Sequence, residues 1–143
     1  MSTAVLYTPE VLGLAVRLAA YGWDDSLPFT AEARSPSCGS TIALGLALDA
    51  EGRLEQLGIR SHACAIGQAA AAIFADAAYG QSRTEIAGAF HAIEQWLSGG
   101  AALPDWPGLS QIAAARDYPA RHGAVLLPWK AALAALPEQP ENR

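Results

Sequence analysis

Thr41-Ile42-Ala43-Leu44-Gly45-Leu46-Ala47-Leu48-Asp49-Ala50-Glu51-Gly52 is the stretch on which the fold turns. Ile42, Leu44, Leu46 and Leu48 alternate with small residues, the period of two that marks a strand with one buried face. Asp49 to Gly52 supplies turn chemistry, and Leu57 with Ile59 resumes the alternation, so the segment predicts a β-hairpin. A weaker strand candidate, Ala31 to Ser35, precedes it.

Helical signals flank the hairpin on both sides. Upstream, Thr8-Pro9-Glu10 opens a helix with Thr as N-cap, Pro at the first helical position and an acid in the first turn. Its stripe is read as Leu12, Val16 and Ala19 or Ala20, ending near Gly22. Downstream of Cys64, Ile66, Ala70, Ile73 and Ala77 share one helical face, and Gly80 supplies the stop. Ser82 and Glu85 form a capping box for a helix with Ile86, Phe90, Ile93 and Leu97 inward, closed by Ser98-Gly99-Gly100. A loop over Leu103 to Gly108 leads to a short helical turn around Leu109 and Ile112. Pro119 opens a last helical region reaching about Leu136, which Pro128 is expected to kink or restart.

This order predicts an α+β fold: a small three-stranded antiparallel sheet packed against several helices segregated to one side. We expect a single domain over 1–143, with its core at about 8–136 and a frayed polar tail over 137–143. The composition agrees. A chain of 143 residues, 52% hydrophobic and 16% charged, is folded rather than disordered. A net charge of −5, with no Lys or Arg cluster, argues against a nucleic-acid partner. Val11 to Ala20 is too short to span a membrane and carries Arg17. No basic region precedes Glu10, so no signal peptide is expected either. Two cysteines in such a domain suggest a reducing cytoplasm, where a disulfide between them is disfavoured.

The cysteines are the residues with chemistry. Cys38 lies in the turn-rich loop Ser35-Pro36-Ser37-Cys38-Gly39-Ser40, just before the first hairpin strand. Cys64 lies in His62-Ala63-Cys64-Ala65, where the second strand runs into a helix. Free N–H groups at a helix start favour negative charge, and such positions bring a thiol pKa from about 8.5 into the range of roughly 3.5 to 7.5. A thiolate there can bind a soft metal or accept sulfur. Gly39 permits a tight turn that could aim Cys38 at Cys64. Ser40 is read as a turn or cap residue, His91 as a surface residue, and the four tryptophans as core and loop anchors. The chain lacks a Gly-x-Ser-x-Gly elbow, an HExxH helix and a Gly-rich phosphate loop. A Cys64–His122 nucleophile pair would have neither an oxyanion donor nor an orienting group. The chain is therefore not expected to be an enzyme.

The stretch from Ser35 to Gln68 resembles the iron–sulfur cluster assembly scaffold family of the IscU, SufU and NifU N-terminal type. That family's Cys-Gly-Asp before a strand is similar to Cys38-Gly39-Ser40 before Thr41-Ile42. Its Gly-Cys-Ala-Ile-Ser-Gln-Ala-Ser is similar to Ala63-Cys64-Ala65-Ile66-Gly67-Gln68-Ala69-Ala70. Pro119-Ala120-Arg121, then Leu127-Pro128-Trp129-Lys130-Ala131, resembles the Pro-Ala-Arg and Leu-Ala-Trp-Lys-Ala segments of the SufU branch. The loop from Ser98 to Asp117 resembles that branch's insertion, so the likeness covers about Thr8 to Leu136. There are departures. Ser40 stands where the family has an aspartate ligand, and Ala124, or Gly123 with a one-residue shift, where it has a third cysteine. Gly67 replaces a serine, and the Leu-Pro-Pro-Val-Lys motif of the IscU branch is absent.

The resemblance implies a scaffold that holds sulfur and iron and hands the cluster on, with a cysteine desulfurase and acceptor apo-proteins as partners. Cys38 and Cys64 would bind iron, an iron–sulfur cluster or zinc. His122, beside the lost cysteine position, is the best third ligand, while His62 is read as flanking the site. A [2Fe–2S] cluster and a structural zinc each take four ligands, which a homodimer could supply from two chains. The alternatives are a sulfur-transfer partner of the desulfurase and a protein-binding module that has lost its cluster role.

Overall fold

The computed structural model describes residues 6–37 and 39–137. The hairpin forms as read: β2 is Thr41–Leu48 and β3 is Leu54–His62, antiparallel, with Leu44 opposite Ile59 and Leu46 opposite Leu57. In the turn, the Asp49 carboxylate accepts from the N–H groups of Glu51 at 2.9 Å and Arg53 at 3.0 Å, the Asx arrangement that favours Asp there. β1, Phe29–Arg34, begins two residues earlier than expected and pairs antiparallel with β2, giving the order β1-β2-β3.

The inner face of the sheet buries Ile42, Leu44, Leu46, Leu57 and Ile59. The outer face exposes Thr30, Glu32 and Arg34 but buries Gly45 and Gly58, which pair across the strands. The reason is a loop crossing that face. The Ile59 N–H donates to the Tyr21 carbonyl at 2.8 Å, and a Cβ at Gly58 would start 2.7 Å from the Gly22 carbonyl oxygen. Trp23 anchors this loop, with the Arg60 guanidinium 4.3 Å from its ring centre.

Helix α1, Pro9–Arg17, is capped by the Thr8 hydroxyl, which accepts from the Val11 N–H at 3.1 Å, and continues as a 3₁₀ turn over Leu18–Ala20. Its inward face is not the one expected. Val11 and Leu14 are buried, whereas Leu12 is 49% and Val16 75% exposed. The helix has two apolar stripes, and packing on α2 selected the one carrying Val11, Leu14 and Leu18.

Helix α2, Ala65–Ala78, is buried from Ile66 through Ala75 except at Gln68, and it packs on α1 and α4. Alanine allows this closeness. α3, Arg83–Leu97, opens on the expected Ser82–Glu85 capping box. A 3₁₀ segment, Leu109–Asp117, and a 3₁₀ turn, Pro119–Arg121, lead into α4, His122–Ala135. α4 does not restart at Pro128. Burial of Leu127, Pro128 and Trp129 against the core holds the turn that the missing proline N–H would weaken.

At the centre, Phe74, Trp106 and Trp129 meet with ring centres 5.2 to 5.7 Å apart. Each such pair contributes about 0.5–1.5 kcal/mol beyond the area buried. The Trp106 indole N–H donates to the Ile73 carbonyl at 2.9 Å, joining the long loop to α2. α4 lies against β1, β2, α2 and α3, so its first turn is carried to the ends of the strands, where β3 runs into α2.

Candidate functional site

Three segments converge at the start of α2. Cys64 is its N-cap, in extended backbone (φ −64, ψ 169), and its thiol is free and half-buried. The Cys64 side chain makes no cap hydrogen bond; instead its backbone N–H donates to the Ser40 hydroxyl at 3.1 Å. Ser40 enters from the start of β2 and is only 2% exposed. It therefore acts as a cap from a neighbouring segment, in keeping with the sequence reading. Gln68 closes the other side, its amide donating to the Ala63 carbonyl at 2.8 Å.

α4 forms the third side. A Cβ at Gly67 would lie 2.9 Å from the Ala63 methyl, 3.7 Å from the Ala124 methyl and 3.8 Å from the Ser40 hydroxyl oxygen. Ala124 is fully buried. Gly123 instead faces the β1–β2 loop, where a Cβ would meet the Ser35 hydroxyl at 2.6 Å. Of the two candidate positions for a third cysteine, only Ala124 points at the α2 start; a cysteine at Gly123 would collide with buried Ser35.

Cys38 lies outside the described residues. The chain on either side of it is a closed turn. The Ser35 N–H donates to the Ser40 carbonyl and the Gly39 N–H to the Ser35 carbonyl, both at 2.8 Å. Gly39 has φ +71, the left-handed conformation that a glycine accepts without strain. The Ser37 hydroxyl donates to the Ala120 carbonyl at 3.0 Å, tying the loop to the 3₁₀ turn before α4.

The histidines go elsewhere. His122 is half-buried, and its Nε2 donates to the Arg116 carbonyl at 2.7 Å, leaving Nδ1 as the nitrogen able to bind a metal. Two positions along a helix differ by about 200°, so His122 and Ala124 leave α4 on different sides. His62 is exposed at the end of β3, opposite Thr41. His91 is exposed on α3, with Nδ1 3.4 Å from the Glu94 carboxylate. Among the described residues no group of three or more His, Cys, Asp or Glu side chains comes together in a way that could hold a metal. Among the described residues, the polar side chains beside Cys64 are a serine hydroxyl and an amide, poor ligands for a soft metal.

Sequence reasoning missed the parts played by Ser35, Ser37 and Gln68. A signal existed for the first two: serines spaced through a Pro- and Gly-containing turn are the usual local hydrogen-bonders of such loops. Gln68 carried none, because its acceptor is the backbone of the preceding strand end.

No helix among the described residues is long and apolar enough to cross a membrane. No family model matches the chain, and no curated protein matches it significantly in sequence. Solved structures do match. A nitrogen-fixing NifU-like protein (N-terminal) from Brucella abortus superimposes with a TM-score of 0.84 at 25% identity, covering 92% of this chain and 92% of that one. A protein described as an iron–sulfur cluster assembly scaffold for the SUF system, from thermophilic Fervidobacterium islandicum AW-1, also gives 0.84, at 21% identity over 95% of this chain and 100% of that one. A hypothetical protein gives 0.78 at 24% identity over 92% and 97%. Over nearly its whole length, this chain shares its fold with these NifU-like and SUF-system proteins.

Proposed function

We propose that this protein acts in iron–sulfur cluster assembly as a scaffold-like carrier, holding iron, a cluster or zinc through Cys38 and Cys64 before passing the cargo on. The observation that carries this reading is the free, half-buried Cys64 thiol at the α2 start, in a chain whose fold matches both a NifU-like and a SUF-system protein. The residues present fit such cargo in part. One chain offers two thiols where a [2Fe–2S] cluster takes four ligands. His122 Nδ1 would add at most a third ligand, whereas the cysteines of a second chain would bring the set to four. A weakly completed site suits a carrier that must release what it binds.

A second reading rests on the same free thiol: Cys64 receives sulfur from a cysteine desulfurase. A persulfide forms when the Cys64 thiolate attacks the outer sulfur of the desulfurase persulfide, the desulfurase cysteine leaving as thiolate. In either reading, acceptor apo-proteins take the product.

The test is metal and acid-labile sulfide content after anaerobic purification and reconstitution, comparing the native chain with Cys38→Ser and Cys64→Ser. The carrier reading expects bound iron or zinc that falls severalfold in each variant. A chain that binds no metal, or metal retained undiminished in both variants, rules it out. For the second reading, desulfurase turnover unchanged by adding the protein rules out sulfur acceptance.

A further inference from the structure

α1 carries two apolar faces, and the fold uses one of them. At about 100° per residue, Pro9, Leu12, Gly13, Val16 and Ala20 recur on the side opposite Val11 and Leu14, and all five are exposed. Leu12 at 49% and Val16 at 75% are among the few large apolar side chains so exposed in the described fold. No polar side chain interrupts this face. Gly13 adds a second anomaly. Glycine in mid-helix is a poorer helix former than alanine, yet a Cβ at Gly13 would meet nothing within 4 Å. Packing within the described fold gives no reason for a glycine there, whereas a second backbone approaching closely does.

We propose that this face is a two-fold contact with a second copy of the chain, α1 antiparallel to α1 and crossing near Gly13. Charge identifies the occupant. Glu10 and Arg17 sit on the same flank of the stripe, about 20° apart in projection, at its opposite ends. A two-fold axis between antiparallel helices keeps each flank on its own side. Glu10 of one copy therefore meets Arg17 of the other, twice, and Leu12 meets Val16 under the same operation. Self-complementarity of this kind is what an isologous interface requires. Arg17 pairs with Asp76 at 2.9 Å within its own chain, but its side chain stays 61% exposed and open to a further carboxylate.

The geometry separates this contact from the cysteine site. α1 starts at the site end, where Arg121 Nε donates to the Tyr7 hydroxyl at 3.4 Å, and it runs toward Asp76 near the other end of α2. An antiparallel pair sets the two Cys64 residues at opposite ends of the contact, so the dimer forms without metal and stands apart from the proposed function. A contact one helix wide falls well below the roughly 800 Å² per partner of a standard interface, so the dimer is weak.

Sedimentation of the full chain from about 10 μM to 1 mM tests this. The expected result is a monomer–dimer equilibrium unchanged by a chelator or by Cys64→Ser. Val16→Glu, at a solvent-facing position, weakens the dimer by at least about tenfold, with circular dichroism confirming the fold. Gly13→Ala shifts two readouts in opposite directions: it raises the melting temperature of the dilute chain and weakens the dimer. Glu10→Arg and Arg17→Glu each weaken it by about two- to fivefold, and an equimolar mixture of the two variants recovers association. A chain monomeric throughout, a dimer indifferent to Val16→Glu, or a mixture that fails to recover overturns the proposal, the last by leaving the face to a different partner.

Discussion

The two ends of α2 differ in kind. At its C-terminal end the polar groups close on one another. Asp76 accepts from the Tyr21 hydroxyl and pairs with Arg17, and the Gly80 N–H reaches the Leu54 carbonyl at 2.8 Å. At its N-terminal end the helix is capped from outside by Ser40, small residues line the wall at Gly67 and Ala124, and Cys64 keeps a free, half-buried thiol. A join built for stability pairs its polar groups. The other end leaves the half-buried Cys64 thiol free, beside buried Ser40 and the start of α4.

The largest expected effect comes from refilling the N-terminal end. Ser40→Asp combined with Ala124→Cys adds a carboxylate and a thiol beside Cys64, and zinc affinity should rise by more than about tenfold, read by competition with a chromophoric chelator. Unchanged affinity would mean that the three corners do not converge on one ion. Next, Gly67→Val drives side-chain atoms into Ala63, 2.9 Å from the Cβ position. We expect a loss of about 1–3 kcal/mol in urea unfolding; a neutral result would show that the strand end yields freely. Ser40→Ala leaves the Cys64 N–H without its acceptor and should cost about 1 kcal/mol.

The smallest effect lies at the C-terminal end and appears only in alkali. Burial and the hydrogen bond to Asp76 push the Tyr21 phenol from 10.0 up to about 12. The folded state thus holds this proton more tightly than the unfolded one. The resulting stability is complete below pH 10 and is lost as pH rises through about 12. Tyr21→Phe should flatten the unfolding midpoint across that window, and an identical alkaline decline in the variant would assign it to other groups.

Much of this was legible in the residues. The Ile42-Leu44-Leu46 alternation, the Asp49 turn, Thr8-Pro9 and the Ser82–Glu85 box each encode their element within a few positions, since strand alternation and helix capping are local physics. Cys64 at a helix start was legible for the same reason; Ser40 was legible as a capping serine, but not that its partner would be the Cys64 N–H on a different segment. The inward face of α1 was not. Val11, Leu12, Leu14, Val16 and Leu18 supply two stripes of similar apolarity, and nothing within nine residues of helix distinguishes them.

Continuity through Pro128 escaped for a related reason: proline's local penalty is visible in the sequence, but the burial of Leu127 and Trp129 that outweighs it comes from other elements. The choice between Gly123 and Ala124 belongs to the same class. It depends on Ser35 of the β1–β2 loop and Gly67 of α2, segments more than fifty residues away along the chain in each case. Element identity follows from local chemistry. Which face turns inward, and which small residue stands beside the thiol, follows from contacts between distant segments, because only the folded chain brings those atoms within van der Waals reach.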